Sequence, residues 1–413
     1  MKKITKLCVL MLLCCIMTSC SDKKEEKTKK STELEGMLAY AYYFSDSEML
    51  ISNQDRIMYS DWENISFDYI CTDPVCDHTK ETCTAFAIGN EERREDNSSF
   101  VIEYNERLFI FEKYSISEDE TLAENKIKTT TKYYTDVFEA ELDGSNRKHK
   151  LTVEGMTQSD IMTAGVIVAG GQVWFGGPKV CVTISEYITD DFGNQRIDSE
   201  TEYTNAVYSV DLYDYSAAEY VEKDKEDIEM NVQFVLDGGY IYAVSNNFML
   251  NKMYVYRIDQ NNAQCQLLYE EIGSHFVIGV LGDYILCHDD TQLYYRKLSD
   301  IQQKYVFETP KTEVGIVATV VDDKLAVLTS YVENSGYYET EYTFYNENLK
   351  EIEKHKYDDY FIFWTTIGDK IIYVKPFAEQ QMWWKETEDL ANLLENATYI
   401  GSFTGFEHDK LDE

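Results

Sequence analysis

The feature that most restricts how this chain can fold is a degenerate unit that recurs seven times. Each copy is an apolar strand, a short turn rich in Asp, Gly or Asn, and a second strand of alternating character. The cleanest copy lies in LDGGYIYAVSNNFMLNKMYVYRID, Leu236 to Asp259, where Asp237-Gly238-Gly239 makes a tight turn and an Asn-rich connection leads into Met253 to Ile258. The turns are anchored at Asp55, Glu106, Gly171, Gly239, Asp283, Asp323 and Asp369, so successive anchors lie 51, 65, 68, 44, 40 and 46 residues apart. That spacing brackets the roughly 40–50 residues of a four-stranded propeller blade. One hairpin cannot bury both of its faces, and stacking such units radially solves this. The sequence therefore predicts an all-β β-propeller of about seven four-stranded blades, with six or eight also compatible.

The rest of the chain is consistent with one large repeat domain over residues 37–413. Only 4 prolines occur in 413 residues, and 33 tyrosines favour strands. After most turns a second strand pair follows, as in Gln292 to Thr309 and Thr340 to His355. The two long intervals require insertions. The acidic run Ser115 to Thr131 reads as an exposed loop, and Phe138 to Asn146 as an outer-strand turn. Val180 to Ile188 and Gln195 to Val210 flank Asp190-Asp191-Phe192-Gly193-Asn194, which reads as the tip of a long hairpin. At the end, Leu390, Leu393 and Leu394 within Lys385 to Asn396 predict a short C-terminal helix. Met37 to Phe44 is expected to pair with the last blade and close the ring, which removes open sheet edges.

The N-terminus is a targeting segment. Lys2, Lys3 and Lys6 precede an apolar run, Leu7 to Met17, that is too short for a permanent span. Met17-Thr18-Ser19-Cys20 resembles a bacterial lipobox, with Met in place of the usual leucine. The expectation is a signal peptide over 1–19, lipidation at Cys20 and a disordered, charged tether over 20–36. Acyl chains would anchor the chain stably at about 0.8 kcal/mol per buried CH2. This places the protein on the extracytoplasmic face of a cell membrane.

Charge narrows the partners. Lys and Arg total 38 against 75 Asp and Glu, a formal net charge of −37, and removing the leader makes it more negative. Such a surface repels nucleic acid.

The sharpest local signal is Cys71-Thr-Asp-Pro-Val-Cys76-Asp-His78-Thr-Lys-Glu-Thr-Cys83. Three thiols and an imidazole form a donor set that tetrahedral zinc accepts. The C-x4-C-x-H-x4-C spacing matches no standard finger, and an oxidising compartment also permits a disulfide between two of the three cysteines. Structural zinc and a disulfide-stapled loop both stand at this point. Cys181, Cys265 and Cys287 sit in apolar strand contexts and read as core residues. Asp190, Asp191 and Asp198 lack the spacing of a calcium loop, and His288 beside Asp289 and Asp290 reads as a solvated turn. No G-x-S-x-G elbow, H-E-x-x-H, P-loop or G-x-G-x-x-G is present. No catalytic residue is singled out.

The run from Met58-Tyr-Ser-Asp through ICTDPVCDHTKETCTAF resembles a group of largely uncharacterised bacterial lipoproteins predicted to be β-propellers. In that group a Y-x-D strand leads to a cysteine-proline-cysteine-histidine loop and a third cysteine. The resemblance implies a cell-surface propeller and no particular activity; the long insertions and the C-terminal helix depart from it. The functional expectation is a lipid-anchored binding or scaffolding module for an extracellular glycan, peptide or envelope protein. A propeller-fold glycosidase or lyase, and a structural envelope-assembly factor, are the alternatives.

Overall fold

A computed structural model of the chain describes residues 34–402, apart from 40–41, 54–55, 64, 79–82, 88–97, 158–164, 190–194, 227–229, 238, 248–250, 261–263, 274, 290, 311, 335–336, 377–380 and 396. The leader, Cys20, most of the tether, Asp190, Asp191 and Asp290 lie outside the described residues. No described helix is long and apolar enough to cross a membrane.

The described chain is all-β. Its first half contains β1 (Leu34–Ala39), β2 (Tyr42–Ser45), β3 (Glu48–Asn53), β4 (Arg56–Asp61) and β5 (Asp68–Tyr69). A second meander follows as β6 (Ser98–Tyr104), β7 (Arg107–Ala123), β8 (Lys126–Ala140) and β9 (Lys148–Val153). A third runs β10 (Val166–Ala169), β11 (Gln172–Thr189), β12 (Gln195–Asp211) and β13 (Ala217–Glu226). These 13 strands form one sheet. Four separate four-stranded sheets succeed it, each an antiparallel meander. They are β14 (Asn231–Asp237) to β17 (Cys265–Ile272), β18 (His275–Leu281) to β21 (Asp300–Phe307), β22 (Ala318–Val321) to β25 (Glu351–Tyr357), and β26 (Ile362–Ile367) to β29 (Thr398–Ser402).

The turns explain why the repeat was legible. Asn105 and Glu106 (φ 51° and 59°), Gly170 and Gly171 (59° and 69°), and Asp322 and Asp323 (48° and 52°) are consecutive left-handed pairs. Such pairs match the right-handed twist of the two strands they join. Between them the strands bury Tyr, Val, Ile and Phe from neighbouring sheets into shared layers. Val244, Val255 and Tyr242 meet Ile285, Cys287 and Tyr294. Leu286 and Leu293 meet Leu325 and Val327, and Leu328 and Phe344 meet Ile371 and Tyr373. Trp174, Phe234, Phe44 and Ile372 belong to a layer that joins the large sheet to both the β14 and β26 sheets. Each fully buried side chain of this size stabilises by about 1.5–3 kcal/mol. The arrangement is propeller-like: each sheet packs on the next, and the last packs on the first.

The first half departs from the sequence expectation. Four separate four-stranded blades are present rather than seven, because two cross-links fuse the first three meanders. One is β1 with β10, in the register Met37↔Ile167 and Leu38↔Val166. The other is β8 with β11, running from Val180↔Lys132 to Glu186↔Lys126. Strands β7, β8, β11 and β12 are 15 to 18 residues long, so they overrun their own meanders. The overrunning edges carry unpaired N–H and C=O groups, which the two hairpins satisfy on each other.

Three further expectations are corrected. Ser115 to Thr131 is not a loop but the end of the β7–β8 hairpin. Its acidic residues, Glu118-Asp119-Glu120 and Glu124, lie in a stretch of β7 and its turn that is exposed on both faces, so polarity there does not mean irregular backbone. Met37 to Phe44 pairs through β1 and β2 within the large sheet and not with the last sheet. The C-terminal α-helix is instead a 3-10 helix, Thr387–Asn392, following β28 (Gln381–Glu386). Leu390 and Leu393 are nevertheless buried against the β22–β25 and β26–β29 layer.

Candidate metal centre

The Cys/His loop is set by the strands it leaves and rejoins. Chain leaving β5 at Tyr69 is held by the Ile70 amide on the Ile57 carbonyl at 3.2 Å, and it returns as the Ile57 amide donates to Ala85 O at 2.6 Å. Ala85 and Ala87 are fully buried in the core between the first and second meanders. Between these two fixed points the backbone folds tightly. The Val75 amide donates to Asp73 Oδ1 at 3.0 Å, and the Cys76 amide donates to Asp73 O at 3.1 Å. His78 adopts a left-handed φ of 53°, uncommon for a residue with a Cβ.

These turns bring the Sγ atoms of Cys71, Cys76 and Cys83 and a ring nitrogen of His78 within 4.8 Å of one another. His78 Nδ1 lies 3.4 Å from Cys83 Sγ, and its ring packs on Tyr69 at a centroid distance of 4.5 Å. The Ala85 amide donates to Cys83 Sγ at 3.4 Å. Burial pushes the Cys83 thiol up to about 12. At Cys71 burial also raises the value, but hydrogen bonds from Thr84, the Asp73 backbone, Cys83 and Cys76 outweigh it and hold the thiol below its ordinary range. A cation among the donors would favour the thiolate at each of the three cysteines and the neutral imidazole at His78.

All four residues singled out from the sequence are thus brought together. The six described cysteines are all free thiols. Cys181 and Cys287 are buried as expected, whereas Cys265 is only half-buried. Asp198 lies exposed on β12 beside Arg196, at 3.2 Å. His288 stacks on Phe276 at 5.0 Å, while Asp289 caps the following turn through the amides of Thr291 and Gln292.

Two groups of residues escaped the sequence reading. One is the turn between β8 and β9, where Gly144 and Arg147 pack on the Cys71–Cys83 loop. Its Asp-Gly-Ser-Asn signature showed a turn, not what the turn touches. The other is a charged seam in which Glu271 meets Arg296 at 3.0 Å, Lys304 at 3.5 Å and His275 at 3.8 Å. No linear spacing signals it, since the partners come from different sheets.

No protein-family model and no curated protein matches the sequence. Among solved structures, the chain is similar to a post-proline cleaving enzyme from Rickettsia typhi, with a TM-score of 0.46 and 9% identity over 92% of this chain and 54% of that one. The chain spans about half the length of that peptidase. An uncharacterized protein from Listeria monocytogenes EGD-e is similar at a TM-score of 0.36 and 11% identity, covering 70% of this chain and 83% of that one. TolB from Acinetobacter baumannii is similar at a TM-score of 0.29 and 11% identity, covering 67% of this chain and 77% of that one. At these identities no activity transfers to this chain.

Proposed function

We propose that the chain is a lipid-anchored, extracytoplasmic binding or scaffolding module whose Cys71, Cys76, His78 and Cys83 hold one structural zinc ion. The convergence of four donor atoms within 4.8 Å carries the metal reading. Three sulfurs and one imidazole nitrogen suit tetrahedral zinc, and a full complement of four protein ligands leaves no open position for substrate. A disulfide would use two sulfurs and leave the imidazole without a role. The ion stabilises an irregular segment that has little secondary structure of its own.

The membrane anchor through Cys20 rests on the leader and lipobox pattern. Binding of a glycan, peptide or envelope protein rests on the anchor together with loops presented at the rims of a propeller-like ring. Elemental analysis and zinc X-ray absorption on the full chain test the metal reading. One zinc per chain with three sulfur and one nitrogen neighbours is expected. A metal-free chain in which two of Cys71, Cys76 and Cys83 form a disulfide overturns it. Labelling with an alkyne fatty acid, lost in Cys20→Ala, tests the anchor.

A further inference from the structure

We infer that Arg147 is a positioning residue for the metal centre, acting through the peptide unit between Thr84 and Ala85. The inference rests on the zinc reading above and adds to it a residue sixty-four positions beyond the last ligand. Arg147 Nη2 donates to Thr84 O at 2.7 Å, Nη1 to Ala87 O at 3.2 Å and Nε to Gly144 O at 3.1 Å. Thr84 O and the Ala85 amide belong to one planar peptide, and that amide donates to Cys83 Sγ at 3.4 Å. In a trans peptide the C=O and N–H point in opposite directions. Fixing the carbonyl on the guanidinium therefore aims the N–H at the ligand sulfur. Pulling electron density toward the carbonyl oxygen also makes that N–H a better donor, which favours the thiolate.

The surrounding structure is shaped for this contact. Gly144 has a left-handed φ of +75°, and a Cβ built there would lie 2.0 Å from Thr84 O. Only glycine lets the β8–β9 turn come this close. Thr72, next to Cys71, adds a bond to Asp143 Oδ2 at 3.5 Å. The metal loop of the first meander is thereby clasped to the second at both of its ends. A lysine in place of Arg147 could not reach three carbonyls at once, because its ammonium lacks the rigid planar fork.

The test is the zinc affinity of the full chain, measured by competition with a chromophoric chelator. Loss of an outer hydrogen-bond partner of a metal ligand typically weakens affinity 10- to 100-fold. Arg147→Ala and Arg147→Lys are each expected to weaken zinc by about that factor. The Ala85 amide is expected to exchange with deuterium faster than in the parent, even when zinc is saturating. Arg107→Ala removes an exposed arginine of the same sheet, paired with Glu141 at 2.6 Å, and is expected to leave affinity within about twofold. Unchanged affinity and exchange in Arg147→Lys would overturn the inference, as would an equal loss in Arg107→Ala. If Arg147→Ala does not fold, Arg147→Lys decides alone. A parent chain that retains no zinc overturns the zinc reading itself, and this inference with it.

Discussion

Lys370 reaches back to Asp46 across 324 positions of sequence, its Nζ 3.2 Å from Oδ1. Around this pair the first meander meets the last sheet through side chains. Phe44 lies edge-on to Trp364 at 5.7 Å and Trp62 edge-on to Trp384 at 5.2 Å, while Lys370 also sits 5.6 Å from the Trp62 ring. Because Asp46 is mostly exposed, Lys370→Ala should cost less than about 1 kcal/mol. Gly368 is another matter. Its φ is +56° and a Cβ there would lie 2.0 Å from Asp46 Oδ1, so Gly368→Ala should cost about 1–3 kcal/mol from backbone strain. Urea unfolding of both variants checks the order of the two effects.

The Glu271 seam predicts a larger loss. Its carboxylate is mostly buried between the β14–β17 and β18–β21 sheets. Burial would raise its pKa, but Arg296, His275 and Lys304 together hold it below the ordinary 4.5. Removing it leaves the mostly buried Arg296 charge with only the Ile301 and Gln302 carbonyls as hydrogen-bond partners and no carboxylate, so Glu271→Ala should destabilise by about 3–5 kcal/mol. The double variant Glu271→Met, Arg296→Met should recover part of that loss. A depressed carboxyl pKa contributes stability above its unfolded value, so this contribution fades as the pH falls through and below about 4.5. Urea titrations at two pH values measure both effects.

Glu48 behaves in the opposite sense. Burial, and then the nearby Glu103 carboxylate, raise its pKa to about 7. Between about 4.5 and about 7 the folded chain holds a proton that the unfolded chain releases, so stability from this group falls as pH rises through that window. With screening at a partly exposed site, the change is on the order of 1 kcal/mol. The parent should melt lower at pH 8 than at pH 6 by more than Glu48→Gln does. Equal slopes in calorimetry would show that Glu48 is not responsible.

On the zinc reading proposed above, chelation should destabilise the chain by the linkage term, about 2.7 kcal/mol when free zinc stands at 100 times its dissociation constant. Cys83→Ser should abolish zinc retention, and chelator should then cause no further drop in melting temperature. A chelator-induced drop that persists in Cys83→Ser would place the responsible metal elsewhere.

Legibility followed sequence distance. The Cys71 to Cys83 loop could be read because its four donors lie within thirteen positions, and the structure brings all four together. The strand–turn–strand units could be read because alternation and turn chemistry are local. Arg147 could not be read: nothing in its own neighbourhood reveals that its guanidinium serves Thr84 and Ala87. The far end of the β7–β8 hairpin, Ser115 to Thr131, reads as a loop because its composition is that of a solvated surface, and strands wet on both faces have no apolar stripe to betray them.

By itself the sequence determined an all-β chain of repeated meanders and a cysteine loop with a metal-accepting donor set. Both follow from interactions between residues close along the chain, where spacing and backbone preference decide the outcome. Only the tertiary structure decided that three meanders merge into one 13-stranded sheet through β1 with β10 and β8 with β11. It alone placed Arg147 behind Cys83 and Asp46 beside Lys370. The reason is physical. Which open edge finds which, and which buried charge finds a partner, depends on where long strands end up in space, and no local pattern encodes that.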